Sequence, residues 1–304
     1  MLLFELLFLT LQSIEISLDE FDSNKTINDH KNGNDFAHED NVASNKRVMQ
    51  IKEELTFNNF VYSISTNEIT ITGYQGTDTE IFIPEFIDNF PVVSIGEYAF
   101  NLKDQIVHIT LPNSIREIEK YAFKDCSNLE DLILPNKIES IAQHFISGCP
   151  LIKTIIIPKS LQKIRSGGSN HYPFAGSSIE QVTFEEGTTK IIDYLFYGDV
   201  TTLKEVILPG SLTSIGNQAF SGCSSLNKID IPNSVTTIGS YAFKLTSLKS
   251  VILPNKLQII SNSLFLNCKE LTTVTIPNSV TTIDEYAFNG CIKLNNVDLP
   301  NEIK

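Results

Sequence analysis

The chain has no tryptophan, two methionines, five histidines and five cysteines in 304 residues. Basic residues are also scarce: 23 Lys and Arg stand against 36 Asp and Glu, a net charge of −13. That balance excludes the basic stripe that nucleic-acid binding requires. It equally leaves no polybasic face for an anionic membrane. The bland role of such a charge is to keep an exposed array soluble and apart. No glycine-rich phosphate loop occurs, because Gly167-Gly168 lies in an insertion with no helix pattern or lysine behind it. His30 and His38 sit in a polar stretch, and His108, His144 and His171 are scattered over separate segments, none beside a nucleophile in a recurring context. Asp and Glu are spread through turns. The cysteines are spaced 23, 74, 45 and 23 apart, unlike the short ligand pairs of zinc sites. The chain therefore reads as non-enzymatic, with no catalytic residue, cofactor or metal.

What is present is a repeat. Ile231-Pro-Asn-Ser-Val-Thr-Thr-Ile238 recurs letter for letter as Ile276 to Ile283. An apolar-Pro step falls at Pro84, Pro112, Pro135, Pro158, Pro209, Pro232, Pro254, Pro277 and Pro300, with Glu185 in the place of one further proline. Most steps are 22 to 24 residues long; Pro84 to Pro112 (28) and Pro158 to Glu185 (27) are longer. A fixed period in the twenties signals a solenoid. Solenoids work through an extended face rather than a pocket.

Each unit repeats one order, as in Leu226-x-x-Ile229-x-Ile231-Pro232, Val235-x-x-Ile238, Tyr241-Ala242-Phe243. Ile95, Ile118, Ile141, Ile164, Ile215, Ile260 and Ile283 match Ile238, and Phe100, Phe123, Phe145, Phe174, Phe196, Phe220, Phe265 and Phe288 match Phe243. The apolar alternation before each proline reads as a short strand, which the proline ends because it has no N–H to donate. The Ala-Phe segment reads as a turn or short helical piece on the return path. One unit cannot bury its Leu, Ile and Phe alone, but stacked units align them into one elongated core. Cys126, Cys223, Cys268 and Cys291 each follow the Phe of their unit by three residues, and Cys149 follows Phe145 by four. They form one column of small buried hydrophobes. Disulfides between Cys126 and Cys149 or Cys268 and Cys291 lie within reach of adjacent rungs, but parallel side-chain directions disfavour them.

These units resemble the BspA-like leucine-rich repeat family of surface antigens, typified by Leu-Pro-Asn-Ser-Val-Thr-Thr-Ile-Gly-x-x-Ala-Phe-x-x-Cys-x-x-Leu. Ile231 to Phe243, with Leu248 after it, follows that run except that Leu245-Thr246 replaces the Cys; Ile276 to Cys291 with Leu294 follows it with Asp284 in place of Gly. Thr70 to Glu80, followed by Ile83-Pro84 and Val93 to Gly96, is similar to the entry unit of such proteins. The resemblance spans residues 57 to 304. It implies a right-handed leucine-rich-repeat array with one short parallel strand per unit, in a surface-exposed or secreted protein used in adhesion or binding. Fold alone does not settle activity.

Four segments follow. Residues 1–16 carry the apolar run Met1 to Leu11, the length of a signal-peptide core but with Glu5 inside and no basic flank. Residues 17–56 form a polar, disordered spacer holding the single clear glycosylation sequon, Asn24-Lys25-Thr26. Residues 57–83 form a β-hairpin cap, with Phe60 to Ile64 and Ile69 to Ile71 alternating around Thr66-Asn67. Residues 84–304 are the repeats, and the sequence ends in mid-unit at Leu299 to Lys304. An end of that kind leaves either an exposed last strand or a shortened chain.

The outward position of each strand reads Thr110, Ile133, Ile156, Thr183, Ile207, Asp230, Ile252, Thr275, Asp298. The position two residues earlier reads His108, Asp131, Thr154, Gln181, Glu205, Lys228, Ser250, Thr273, Asn296. An apolar stripe of Ile133, Ile156, Ile207 and Ile252 edged by polar groups is a candidate partner-binding face, with Ile133 and Ile156 as its nucleus. Against that, β-branched residues favour strands wherever they face. The insertion Arg165 to Tyr172 is a second candidate, presenting His171 and Tyr172 on a mobile loop. The expected partner is a protein, such as a host surface or matrix protein, with no nucleic acid and no membrane span beyond the signal peptide. Two functions stay open: an extracellular adhesion or recognition module, and an intracellular scaffold.

Overall fold

The computed structural model describes residues 54–165, 172–198, 200–295, 297–301 and 303. The signal-peptide reading, all but the end of the polar spacer, its sequon and His171 lie outside the described residues. The rest is a β-solenoid in which parallel strands about 23 residues apart stack turn on turn, with no helix among the described residues.

Most turns begin with the expected strand, but the 131–133 and 228–230 segments form none. Glu80–Phe82, His108–Thr110, Thr154–Ile157, Gln181–Phe184, Glu205–Ile207, Ser250–Ile252 and Thr273–Thr275 make this first ladder. Each then contributes a second strand at the Thr-Thr-Ile position, which the one-strand reading did not include. Glu117–Ile118, Ser140–Ala142, Lys163–Arg165, Lys190–Ile191, Ser214–Ile215, Thr237–Ile238, Ile259–Ile260 and Thr282–Ile283 make this second ladder, with Phe90–Ile95 as its first rung. Most of these strands are two or three residues long, too short for a period-2 pattern to reveal them.

The return path is a ridge of turns around Tyr-Ala-Phe, bonded from rung to rung like the strands. Phe100, Phe220 and Phe243 N–H donate to the carbonyls of Ala122, Ala242 and Leu264 in the following turn (2.8, 2.9 and 3.1 Å). In the strands the bonds run both ways: Arg116 and Glu119 N–H donate back to Val93 and Ile95, and Ile83 and Leu253 N–H donate forward to Thr110 and Thr275. The ridge needs a left-handed residue at its Tyr position: Tyr98, Tyr121, Tyr194, Tyr241 and Tyr286 have φ between 58° and 62°. A second such residue four positions later is glycine at Gly148, Gly198, Gly222 and Gly290, where a side chain is least tolerated.

Below the ridge runs a column of phenyl rings, buried except for the partly buried Phe288 at its end. Phe174, Phe196, Phe220, Phe243, Phe265 and Phe288 stack with centroids 4.7 to 5.8 Å apart, and Phe100 stacks on Phe123 at 5.3 Å. Phe145 departs from its expected place. Phe123 N–H donates to Phe145 O just as Phe100 N–H donates to Ala122 O. Phe145 therefore occupies the alanine position, and Ile146 takes the phenylalanine position. Both are fully buried. This shift by one is why Cys149 follows Phe145 by four residues rather than three.

The cap covers the second ladder. Phe60–Ser65 and Glu68–Tyr74 pair antiparallel through Thr66 and Asn67, both left-handed (φ 50° and 62°), as a primed two-residue hairpin requires. Glu68–Tyr74 then pairs parallel with Phe90–Ile95. Tyr74 stacks between Phe60 and Phe100, with centroids 5.3 and 6.1 Å away, so the hairpin closes the phenyl column against water. Leu55–Phe57, whose first two residues the sequence reading assigned to the spacer, adds a third antiparallel strand.

All five cysteines are free and buried. Each thiol donates to the Phe-position carbonyl one turn back: Cys126 to Phe100 O, Cys149 to Phe123 O, Cys223 to Phe196 O, Cys268 to Phe243 O and Cys291 to Phe265 O, at 3.0 to 3.3 Å. Burial pushes the Cys223 thiol up and that of Cys268 up to about 12. A thiol held protonated is neither nucleophile nor metal ligand.

Two outcomes follow from this packing. Phe220→Ala should lower stability by about 3–5 kcal/mol, read by urea unfolding, because it empties a fully buried rung of the phenyl column. Ellman's reagent at pH 8 should leave the native thiols unmodified over minutes and titrate all five after denaturation. Cys291 should be the first to react on warming, being the most accessible of the five at 9%.

Candidate functional site

The first ladder sets out the outward column. Its apolar members stand in water: Ile133 is 75% exposed, Ile156 61%, Ile207 43% and Ile252 71%. Their neighbours along each strand, such as Ile155, Val206 and Val251, point inward and are buried. The column also starts one rung earlier than the sequence reading placed it, because Phe82, 69% exposed, lies opposite Thr110. The signal is present in Glu80-Ile81-Phe82-Ile83-Pro84, of which the sequence reading places residues 80–83 in the cap. Ile156, Thr183 and Ile207 occupy three consecutive hydrogen-bonded strands. The 131–133 segment does not join this ladder. Ile133 therefore precedes the Ile156 strand by one turn without being bonded to it, and the paired apolar stretch is Ile156–Thr183–Ile207.

Charged groups flank that stretch. Glu180 carboxylate oxygens lie 3.3 Å from Lys153 Nζ and 2.6 Å from Lys204 Nζ. Lys204 first, and Lys153 second, hold the Glu180 carboxyl below its usual range. Gln181 donates to Glu205 at 2.9 Å, and Lys159 pairs with Glu185 at 3.6 Å. All are solvent-exposed, so they set orientation and contribute little stability. A cleft of about 360 Å³, lined by Lys204–Leu208 and Asn227–Asp230, adjoins Ile207. Towards the cap, His108 Nδ1 sits 3.1 Å from the Asp131 carboxylate. That hydrogen bond raises the imidazole above its ordinary value.

The second candidate is on a different side of the turn. Tyr172 joins the ridge: its carbonyl accepts from His144 N–H at 2.9 Å. Its ring lies 6.4 Å from His144 and 5.0 Å from Tyr197. Tyr98, Tyr121 and His144 continue this surface stack at 4.9 and 5.6 Å. The sequence reading missed the aromatic ridge, although its signal, an aromatic two residues before Phe100 and Phe123, was there. Tyr172 and the isoleucine column are not brought together, and His171 falls outside the described residues.

Among the described residues no group of three His, Cys, Asp or Glu could hold a metal ion. No helix of the described residues is long and apolar enough to cross a membrane.

The model for the BspA type leucine rich repeat region matches residues 67–202 and 189–304. No curated protein matches the chain. Among solved structures, it is similar to a leucine-rich repeat protein from Bacteroides ovatus, at 24% identity and a TM-score of 0.49, over 82% of this chain and 83% of that one. A leucine rich cell surface protein from Faecalibacterium prausnitzii shares 22% identity at a TM-score of 0.46, over 82% and 83%. The T. pallidum leucine rich repeat protein shares 26% identity at 0.37, over 80% and 92%. With the repeat model spanning the solenoid from the cap hairpin to the last turn, the chain belongs to the BspA-type leucine-rich repeat family.

Proposed function

We propose that this chain is a non-catalytic, protein-binding module exposed at the cell surface or secreted, and that it captures its partner on the first-ladder face. The observation that carries this reading is the apolar column itself. Ile156 and Ile207, with Ile133 and Ile252 on turns before and after, present bare β-branched side chains to water. An apolar centre ringed by oriented charges is the anatomy of a protein interface. The family and the apolar run at residues 1–16 support export.

A second reading, an intracellular scaffold, is equally compatible with the thiols. Five free, buried thiols and no disulfide among the described residues fit a reducing compartment as well as an oxidising one. A C-terminal tag followed in intact and permeabilised source cells separates the two. Label on intact cells or in the medium supports the surface module; label only after permeabilisation overturns it.

The face is tested by Ile133→Asp with Ile156→Asp in the purified chain. Binding to intact cells and to cell-derived matrix should weaken by about tenfold, roughly 1.4 kcal/mol. The melting temperature should hold, because both side chains already face solvent. Unchanged binding assigns the column to the scaffold alone.

A further inference from the structure

The turns are not equally joined. The step from Pro232 to Pro254 is 22 residues, against 23 on either side (Pro209 to Pro232, Pro254 to Pro277). The missing residue lies between the ridge and the next strand. Phe243 to Leu248 spans five positions, where Phe220 to Leu226 and Phe265 to Leu271 span six. Thr246 replaces the cysteine there, and its hydroxyl donates to Phe243 O of its own turn at 2.8 Å instead of one turn back.

Both ladders are interrupted at this junction. On the second ladder, Lys190–Ile191, Ser214–Ile215 and Thr237–Ile238 form one sheet, and Ile259–Ile260 with Thr282–Ile283 forms another. On the first ladder, Ser250–Ile252 begins a new sheet, and the 228–230 segment joins neither neighbour. A single backbone bond, Lys249 N–H to Asn227 O at 3.2 Å, crosses on that side. The next junction has both ladders intact, with Ser250–Ile252 on Thr273–Thr275 and Ile259–Ile260 on Thr282–Ile283. A cleft of about 620 Å³ opens on the seam, lined on one side by Thr236–Ile238 and on the other by Gln258, Ile259 and Ser261. The continuous backbone bonding across the seam is the ridge: Tyr241 to Asn262 O at 3.1 Å, Phe243 to Leu264 O at 3.1 Å and Leu245 to Leu266 O at 2.9 Å, beside the Phe243–Phe265 stack at 5.7 Å. Isolated side-chain bonds also cross it, from Ser247 Oγ to Ser224 O, Ser261 Oγ to Ile238 O and Asn255 N–H to Asn233 Oδ1.

We infer that this seam is a hinge. The ridge is its axis, the two broken ladders are its opening sides, and the missing residue is the cause of the second-ladder break; the first ladder is open here because the 228–230 segment pairs with neither neighbour. In a chain of turns that touch only their neighbours, stability is a sum of turn and junction terms. A junction lacking two of its three ladders is where local opening is cheapest. Opening there changes the distance between Ile207 and Ile252 on the first-ladder face, yet the hinge does not depend on that face binding anything.

Native-state hydrogen exchange of the full chain tests it on amides that are hydrogen-bonded in every case. The amides of Tyr241, Phe243 and Leu245, which bond across the seam, should exchange at least about tenfold faster than their equivalents one turn before, at Gln218, Phe220 and Gly222. They should also be faster than Ser263, Phe265 and Asn267, one turn after. Equal protection at all three junctions overturns the hinge. A repaired chain, in which the five residues Ser221-Gly-Cys-Ser-Ser225 are copied in place of the four residues Lys244 to Ser247, restores the 23-residue step. Seam protection should then rise to that of its neighbours. If the repaired chain folds and the seam stays fast, unit length is not the cause and the inference fails. The comparison within the native chain stands without the variant.

Discussion

Everything in this molecule depends on one constraint: a turn of about 23 residues cannot bury its own apolar side chains, so each must be covered by the turns before and after. The fold meets it with two kinds of backbone bond. Strand amides bond to the turns on both sides, and ridge amides reach forward to the following turn. Each interior turn is thereby gripped from both sides, and the phenyl rings are pressed into a column between the two sets. The thiols fit the same logic, each donating to the Phe-position carbonyl of the turn before. Cysteine suits that place because it is small and apolar enough for the core and still supplies a weak donor.

Much of this was legible because solenoids repeat their physics as well as their letters. The period, the phenyl and cysteine columns and the hairpin around Thr66-Asn67 each depend on residues recurring at a fixed offset. What escaped was whatever breaks the offset or is too short to show one. A two-residue strand such as Thr237–Ile238 has no periodicity to detect. The shift at Phe145 and Ile146 exchanges one large apolar residue for another and leaves the sum of the pattern intact. Ion pairs two turns apart, such as Arg165 with Glu117 and Glu119, and Arg116 with Glu68 at 2.5 Å, depend on stacking that sequence alone does not display.

The candidate face can be weighed by comparison within the chain. The same outward position holds Thr110, Thr183, Thr275 and Asp230 in other turns. Threonine satisfies the strand as well as isoleucine does, and it offers water a hydroxyl. The fold thus accepts a polar residue there, and the isoleucines at 133, 156, 207 and 252 are not demanded by it. Keeping an apolar side chain at 61–75% exposure on three of them costs solubility and adds little to folding. The proposed binding face accounts for an outward column of isoleucine that the strands themselves do not require.

Variation in unit length then becomes a physical variable in its own right. The longer unit around residues 166–171 and the shorter one at Lys244 to Ser247 both interrupt the second ladder, the first between Lys163–Arg165 and Lys190–Ile191, the second between Thr237–Ile238 and Ile259–Ile260. They differ in what remains. Beside the longer unit the first ladder is continuous, with Thr154–Ile157 bonded to Gln181–Phe184 over four residues, so that junction keeps a second line of bonds to resist bending. Beside the shorter unit it does not, because the 228–230 segment stands outside the first ladder on both of its sides. An insertion can leave the main path as a loop and let the strands keep their register. A deletion has nothing to give up except the register itself. At the short unit the lost register coincides with an unpaired first-ladder segment, so that junction keeps the ridge as its continuous set of backbone bonds.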